Sequence, residues 1–346
     1  MKTDPLLQVE RLCVDYPGRR RQRFRAVDSV DLTVAPGETL GVVGESGSGK
    51  STIAKAILGI APVTAGTIRF EGSELDPRRV RRRKPITDIQ VVFQDPVSSL
   101  DPTKTVGYTV AEPLVARLRR EGGETRDVRR QVAEMLDRVG LPENAASRYP
   151  AQFSGGQRQR IAIARAFIVR PRLVVCDEAV SALDLSVQAQ ILNLLTDVQR
   201  ELGVSYLFIS HDLSVIEHVS DRVLVLYRGR VMETGSAASV VQSPQHPYTR
   251  VLLAAAPVHD PLRQRQRREL RASYRIEPRG AAPLGDSCPF AHRCRFAVDR
   301  CFQERPVLQP TGGDSAVACH RYGELPPDAE GNIPREPRST ATGGSK

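Results

Sequence analysis

Nine consecutive residues, Gly44-Glu45-Ser46-Gly47-Ser48-Gly49-Lys50-Ser51-Thr52, combine the types that a triphosphate requires. The spacing is that of a P-loop, G-x-x-x-x-G-K-[ST]. Glycines let successive backbone N–H groups converge on one point, and a following helix adds the positive end of its dipole there. Lys50 supplies a mobile positive charge for the β- and γ-phosphates, and Ser51 offers a hydroxyl to Mg²⁺, a cation that prefers hard oxygen ligands. The apolar run Thr39 to Val43 before the loop predicts a buried strand, and Ser51 to Gly59 after it predicts a helix.

A second phosphate-directed terminus follows. Ser154-Gly155-Gly156-Gln157, preceded by Phe153, leads into a helical pattern over Arg158 to Val169, with apolar residues at Ile161, Ile163, Ala164, Phe167 and Ile168. One chain does not readily fold two such termini onto one phosphate. A head-to-tail pair does, each nucleotide lying between one subunit's P-loop and the other's Ser154-Gly155-Gly156.

With these two motifs in this order, the chain resembles the ATP-binding subunits of ABC transporters, and further motifs match that family. The strand Leu173 to Cys176 ends in Asp177 and Glu178. The resemblance implies that Asp177 holds Mg²⁺ and that Glu178 polarises the attacking water. Gln94, in Val92-Phe93-Gln94-Asp95-Pro96, is placed like the glutamine that senses Mg²⁺ and water, and His211 like the switch histidine that contacts the γ-phosphate. Asp184, in Ser181-Ala182-Leu183-Asp184, corresponds to the loop that crosses the dimer interface. Tyr16 is placed like the aromatic that stacks on adenine, although nothing beside it fixes its direction, and a half-buried aromatic is the alternative reading.

The elements that must position these groups follow from pattern. Short strands are expected at Gln8 to Tyr16, Val27 to Val34, Thr39 to Val43, Gly66 to Glu71 and Asp88 to Phe93. Residues 95 to about 165 are helix-biased, and Val128 to Val139 carries one apolar face. From 172 to 235 strands and helices alternate: Leu173 to Cys176, Val187 to Leu202, Val204 to Ser210, Leu213 to Val219 and Arg222 to Tyr227. This alternation requires a parallel α/β sheet, whose ligands sit at the carboxyl ends of the strands. The expected fold is therefore α/β: a P-loop ABC ATPase core with a mixed sheet and a RecA-like subdomain, a helical subdomain at about 95–165, and a small cysteine-containing C-terminal extension. The ATP-binding domain is expected over 6–243, the extension over 244–322 and a disordered tail over 323–346.

Composition bounds the function. The chain has 346 residues and 40% apolar content. It lacks an apolar run long enough for a membrane span, and Met1 to Glu10 does not read as a secretory signal. Its net charge of +10 is carried almost entirely by Arg, with only six Lys among 50 basic residues. Basic runs at Arg78 to Lys84 and Arg263 to Arg271 have no interleaved aromatics, which argues for a solvated surface or lipid headgroups over nucleic acid.

The segment after 243 narrows the resemblance. Ser243-Pro244-Gln245-His246-Pro247-Tyr248-Thr249, Leu252-Leu253 and Pro257, together with Val97-Ser98-Ser99-Leu100-Asp101-Pro102, resemble ABC subunits that power import of di- and oligopeptides; nickel importers share much of this pattern. Cys288, Cys294, Cys301 and Cys319 are spaced C-x5-C-x6-C-x17-C. Four thiolates can satisfy a metal centre. The absence of a C-x2-4-C pair favours a [4Fe-4S] iron–sulfur cluster over zinc, and the resemblance implies the same cluster; zinc and no metal remain the alternatives. Ser287 and Arg295 stand where members often show Gly and Pro. Cys13 and Cys176 read as plain core residues.

The resemblance implies an ATPase coupled to transmembrane transport, with ATP and Mg²⁺ as ligands. It implies a second, related ATPase subunit, two integral-membrane permease subunits and an extracytoplasmic solute-binding protein as partners. The expected location is the cytoplasmic face of the cell membrane. Non-transport ABC ATPases acting on nucleic acid separate the two phosphate motifs by long coiled coils. Here only 103 residues lie between Lys50 and Ser154, with no heptad run, and no direct nucleic-acid contact is expected.

Overall fold

Thr39–Val43 (β3) is buried at every position, as a strand covered on both faces must be. The computed structural model describes residues 4–18, 23–75, 88–95, 99–255 and 285–326. The basic runs at 78–84 and 263–271, together with Val97, Ser98, Pro257 and the tail beyond 326, lie outside the described residues.

β3 sits inside an eight-stranded sheet of order β11-β12-β10-β9-β3-β8-β7-β6. The parallel part comprises β3, β6 (Ile89–Phe93), β7 (Leu173–Asp177), β8 (Ser205–Ser210) and β9 (Arg222–Tyr227). After β9 the chain reverses through Arg228 and Gly229, both left-handed at φ 48° and 78°, into antiparallel β10 (Arg230–Ser236). Two positive-φ residues make the hairpin turn whose twist matches the strands. A separate antiparallel sheet contains β1 (Leu7–Pro17), β2 (Arg23–Val34), β4 (Val63–Phe70) and β5 (Ser73–Glu74), in the order β2-β1-β4-β5. Between the two sheets lies α1 (Lys50–Ile57). Ile53, Ala54, Ala56 and Ile57 of α1 join Leu7, Leu12, Leu40, Val42 and Leu207 in one apolar core.

The other face of the large sheet carries the helices. The helical subdomain contains α2 (Val106–Glu121), α3 (Val128–Arg138) and α4 (Gly155–Phe167). α3 buries Val128, Val132, Met135 and Leu136, the apolar face expected from its periodicity. α4 begins three residues before the expected start, because Ser154 caps it: the Ser154 Oγ accepts from the Gln157 N–H at 3.3 Å while Gln157 Oε1 accepts from the Ser154 N–H at 3.0 Å. α5 (Leu185–Leu202) and α6 (Leu213–Val219) follow β7 and β8.

The extension is built onto the same sheet. α7 (Ala237–Gln242) and α8 (Pro247–Ala255) follow β10, and α9 (Asp299–Gln303) leads to the hairpin β11 (Gln309–Gly312) and β12 (Ser315–Val317). β12 pairs with β10, Glu233 facing Val317, so the hairpin continues the sheet at its edge. The buried carboxylate of Glu233 accepts the N–H groups of Gln245 and His246 at 2.8 and 2.9 Å, which caps the start of α8. Tyr248, Leu253, Cys288, Phe290, Ala291 and Cys301 share a core with Tyr227 and the helical subdomain.

Candidate functional site at the carboxyl ends of the parallel strands

Register brings the predicted residues together. Val43 lies beside Ser210, Ile209 beside Asp177, and Asp177 beside Phe93. The next residue on each strand leaves the same end of the sheet: Gly44, His211, Glu178 and Gln94.

The phosphate loop is sterically specific. A Cβ on Gly44 would stand 2.1 Å from the Leu226 carbonyl oxygen, and Gly44 has φ 159°. Gly49, the N-cap of α1, has φ 106°, and a Cβ there would meet the Ala26 carbonyl oxygen at 2.6 Å. Both positions therefore require glycine. Ser46 and Gly47 are exposed at the loop tip, while Glu45, Gly49, Ser51 and Thr52 are half-buried. Ser48 is buried; its N–H donates to the Glu45 carbonyl at 3.1 Å, and its hydroxyl has no partner among the described residues. Lys50 is 4% exposed, and its Nζ donates to the Gly44 and Glu45 carbonyls at 2.8 and 3.0 Å. Burial lowers the Lys50 pKa, against the pull of Glu178, Asp177 and Glu45.

Ser51 Oγ donates to Asp177 Oδ1 at 2.8 Å. Burial raises the Asp177 pKa in spite of that bond, and the neighbouring Glu178 charge adds to the rise. A half-buried carboxylate beside a hydroxyl is a hard-oxygen pair, and it fits Mg²⁺. Glu178 takes a left-handed backbone, φ 51°, in which its N–H donates to the Ile209 carbonyl at 3.0 Å and its own carbonyl accepts from Ser181 Oγ at 3.0 Å. That conformation costs about 1–3 kcal/mol for a non-glycine residue. It places Glu178 Oε2 3.3 Å from His211 Nδ1, a carboxylate and an imidazole in reach of each other at the strand ends.

Other predicted residues stand apart from this cluster. Ser154 and Gly155 are exposed at the start of α4, with Gly156 and Gln157 half-buried behind them. Gly156 packs so closely on α5 that a Cβ would lie 2.4 Å from Val187 Cγ1. Asp184 is exposed and caps α5, accepting from the Val187 N–H at 3.0 Å and from Ser186 Oγ at 2.8 Å; these bonds hold its pKa low. Gln94 is exposed. Tyr16 is half-buried against the antiparallel-sheet core, opposite Phe24, which is 56% exposed.

Cys288, Cys294, Cys301 and Cys319 line one cavity together with Phe290. Burial pushes the Cys288 thiol up to about 11 and that of Cys294 up to about 12. Among the described residues no three His, Cys, Asp or Glu side chains stand close enough for a single metal ion. Four thiols around one cavity are a donor set of the kind that metal centres use. The flanking histidines have other partners: His292 packs edge-on against Phe302, and His320 Nε2 lies 2.9 Å from the Glu304 carbonyl. Cys13 and Cys176 are buried in strands remote from this cavity in sequence, as expected for core residues.

Two connections were not anticipated from the sequence. Gln159, fully buried in α4, donates from Nε2 to the Ala179 carbonyl at 2.7 Å and to the Phe93 carbonyl at 3.4 Å. It ties the helix that starts at Ser154 to the segments bearing Glu178 and Gln94. The other connection joins the extension to the phosphate loop through Tyr248 and Arg293. The cue for Gln159 was a polar residue on an otherwise apolar face of α4; Arg293, half-buried in the turn Ala291–Arg293, had none.

Comparison with known proteins agrees with this geometry. Residues 27–181 match the ABC transporter family, and residues 232–301 match the family "Oligopeptide/dipeptide transporter, C-terminal region". The oligopeptide transport ATP-binding protein OppF of Salmonella typhimurium is 47% identical over 303 residues, covering 87% of this chain and 89% of its own length. The chain belongs to the oligopeptide/dipeptide family of ABC transporter ATP-binding proteins. It is accordingly the ATPase subunit of an ABC transporter. Another family member, a probable peptide ABC transporter ATP-binding protein of Sinorhizobium fredii, is 46% identical and covers 92% of this chain and 90% of its own. Among solved structures, the ATP-binding cassette MJ0796, described as a dimer in a post-hydrolysis state bound to ADP and Pi, superposes with a TM-score of 0.58 at 29% identity. It covers 67% of this chain and 98% of its own. No helix among the described residues is long and apolar enough to cross a membrane.

Proposed function

We propose that this ATPase drives import of a di- or oligopeptide-type solute, working at the cytoplasmic face of the membrane with a second, related ATPase subunit. Two integral-membrane permeases and an extracytoplasmic solute-binding protein complete the assembly. One observation carries the proposal: a site whose strand ends align Gly44, Gln94, Asp177, Glu178 and His211 occurs in a chain sharing 47% identity with an oligopeptide transport ATP-binding protein. We assign 6–243 to the ATP-binding domain and 244–322 to the extension.

In this mechanism Gly44 to Thr52 cradle the triphosphate, and Lys50 turns from its loop carbonyls to the β- and γ-phosphates. Ser51 and Asp177, with Gln94, would hold Mg²⁺, which neutralises charge on the phosphates. Glu178 orients the attacking water and His211 contacts the γ-phosphate; Tyr16 stacks on adenine. Ser154 and Gly155 of each subunit, exposed at the tip of α4, complete the partner's site with the half-buried Gly156 and Gln157 behind them, and Asp184 lies at the interface. The dimeric state of the MJ0796 cassette supports this arrangement. Closure excludes water and concentrates positive groups on the γ-phosphate. Opening and closing shift the helical subdomain, and Gln159 ties that motion to the segments of Gln94 and Glu178. Cys288, Cys294, Cys301 and Cys319 would hold a 4Fe–4S cluster, which cross-links the extension.

The test is affinity capture of the tagged chain from detergent-solubilised membranes of its own cells, followed by mass spectrometry and solute binding by the captured binding protein. Recovery of two permeases with a second ATPase and a peptide-binding protein is expected. A binding protein selective for nickel would replace the solute assignment, and capture of nucleic acid without permeases would overturn the transport reading.

A further inference from the structure

We propose that Arg293 and Tyr248 are positioning residues for ATP binding: the cysteine-bearing extension grips the phosphate loop through Glu45 and holds it in its nucleotide-accepting form. The inference rests on the reading of Gly44 to Thr52 as the ATP site.

Glu45 follows Gly44 directly and is the first side chain of the loop. Both of its polar ends are held by residues more than two hundred positions away. Arg293 Nη1 donates to Glu45 Oε2 at 2.7 Å and Nη2 donates to Oε1 at 2.8 Å, a two-pronged charged pair. The Glu45 N–H donates to the Tyr248 hydroxyl at 2.9 Å. Behind these contacts the extension is closely packed. Tyr248 is fully buried, with its ring 4.6 Å from Tyr227 and 5.4 Å from Phe290. The Arg293 guanidinium lies over the rings of Tyr227 and Phe290, 5.7 and 5.6 Å from their centroids, and also donates to the Tyr227 hydroxyl at 3.3 Å.

The chemistry gives this grip two effects on a triphosphate. A loop already ordered before the ligand arrives loses less conformational freedom on binding. A carboxylate at the loop entrance would repel the phosphates, and the paired guanidinium offsets that repulsion. Arg293 also stands immediately before Cys294, in the turn Ala291–Arg293 that joins Cys288 to Cys294. The same short segment therefore lines the thiol cavity and holds the loop, which makes the extension a determinant of ATP affinity.

The experiment measures the Kd for a fluorescent ATP analogue, KM and kcat of ATP hydrolysis, and thermal unfolding of the full chain and its variants. Arg293→Met should raise Kd and KM roughly tenfold, as loss of a charged hydrogen-bond pair beside an anion site implies, with kcat little changed. Adding Glu45→Gln to Arg293→Met removes the unpaired carboxylate and should recover most of the affinity. Arg293→Lys should lie between wild type and Arg293→Met. Tyr248→Phe keeps the ring packing, removes only the acceptor for the Glu45 N–H, and should weaken binding several-fold without lowering the unfolding temperature to match; it serves where Arg293→Met does not fold. Unchanged Kd in both Tyr248→Phe and a folded Arg293→Met, or a double variant weaker than Arg293→Met, would overturn the proposal. Failure of the wild-type chain to bind the analogue would instead refute the reading of the ATP site.

Discussion

Replacing Glu178 by Gln should separate nucleotide binding from hydrolysis in the proposed site. The substitution preserves shape. Gln is branched like Glu beyond Cβ, so the left-handed backbone at φ 51° is no more strained, and the bonds from the Glu178 N–H to Ile209 and from Ser181 to its carbonyl involve only main-chain atoms of residue 178. The amide oxygen can still face His211 Nδ1, 3.3 Å from Oε2 in the wild type. Lys50, Ser51 and Asp177 keep their contacts, so ATP affinity should stay within about threefold, below 1 kcal/mol. What is lost is a group able to polarise or accept a proton from water. General-base assistance is worth about 10²- to 10⁴-fold, or roughly 2.7–5.5 kcal/mol of barrier. The assay is phosphate release at saturating Mg-ATP, beside equilibrium binding of ATP and the state of association by light scattering. Retained binding, a rate lower by at least about a hundredfold and a longer-lived ATP-bound pair are expected. A rate within about fivefold of wild type would show that Glu178 does not act on the water.

Two further measurements address the extension. Burial drives the His246 pKa down to about 3 from an ordinary 6.5, and its Nδ1 accepts the Tyr248 N–H at 2.9 Å, so the folded chain keeps this ring neutral. Below pH 6.5 the unfolded chain binds a proton that the folded one refuses, so stability present above that pH is lost as pH falls toward 3, by about 1.4 kcal/mol per unit. Urea unfolding at pH 7.5 and 5.5 should show this loss, and a His246→Asn variant, weaker at neutral pH, should show about 1 kcal/mol less of it; equal pH dependence would remove His246 as the source. For the thiol cavity, chain purified without oxygen should carry iron and acid-labile sulfide with broad visible absorption, and Cys294→Ser should lower the iron content to half or less. Stoichiometric zinc, or no metal in either form, would refute the cluster.

Most of the candidate ATP site was legible because its signals are local. Strand, glycine loop and helix follow one another within the span Thr39–Ile57, and each has a short-range cause: an unbroken apolar run, positive-φ glycines and an apolar helical face. α6 and β9 occupy the expected Leu213–Val219 and Arg222–Tyr227 because both are apolar stretches with clear borders, Asp212 capping the helix and Gly229 turning the chain. The start of α4 was missed by three residues. The helical pattern begins only at Arg158, yet the reciprocal Ser154–Gln157 cap draws Gly155 and Gly156 into the first helical turn.

The sequence alone determined the candidate triphosphate loop, since its residue types and spacing already encode a strand-loop-helix anion site, and it determined that strand ends would carry the acids and the histidine. Only the tertiary structure decided the strained backbone of Glu178, the buried bridge of Gln159 and the junction between extension and loop. Arg293 and Glu45 are 248 positions apart, and a salt bridge across that distance leaves no periodicity or local motif to read. It exists because β12 pairs with β10 and because Tyr227, Tyr248 and Phe290 pack together, which brings the turn before Cys294 against the phosphate loop. Such packing is a property of the whole core, and no single stretch of the chain contains it.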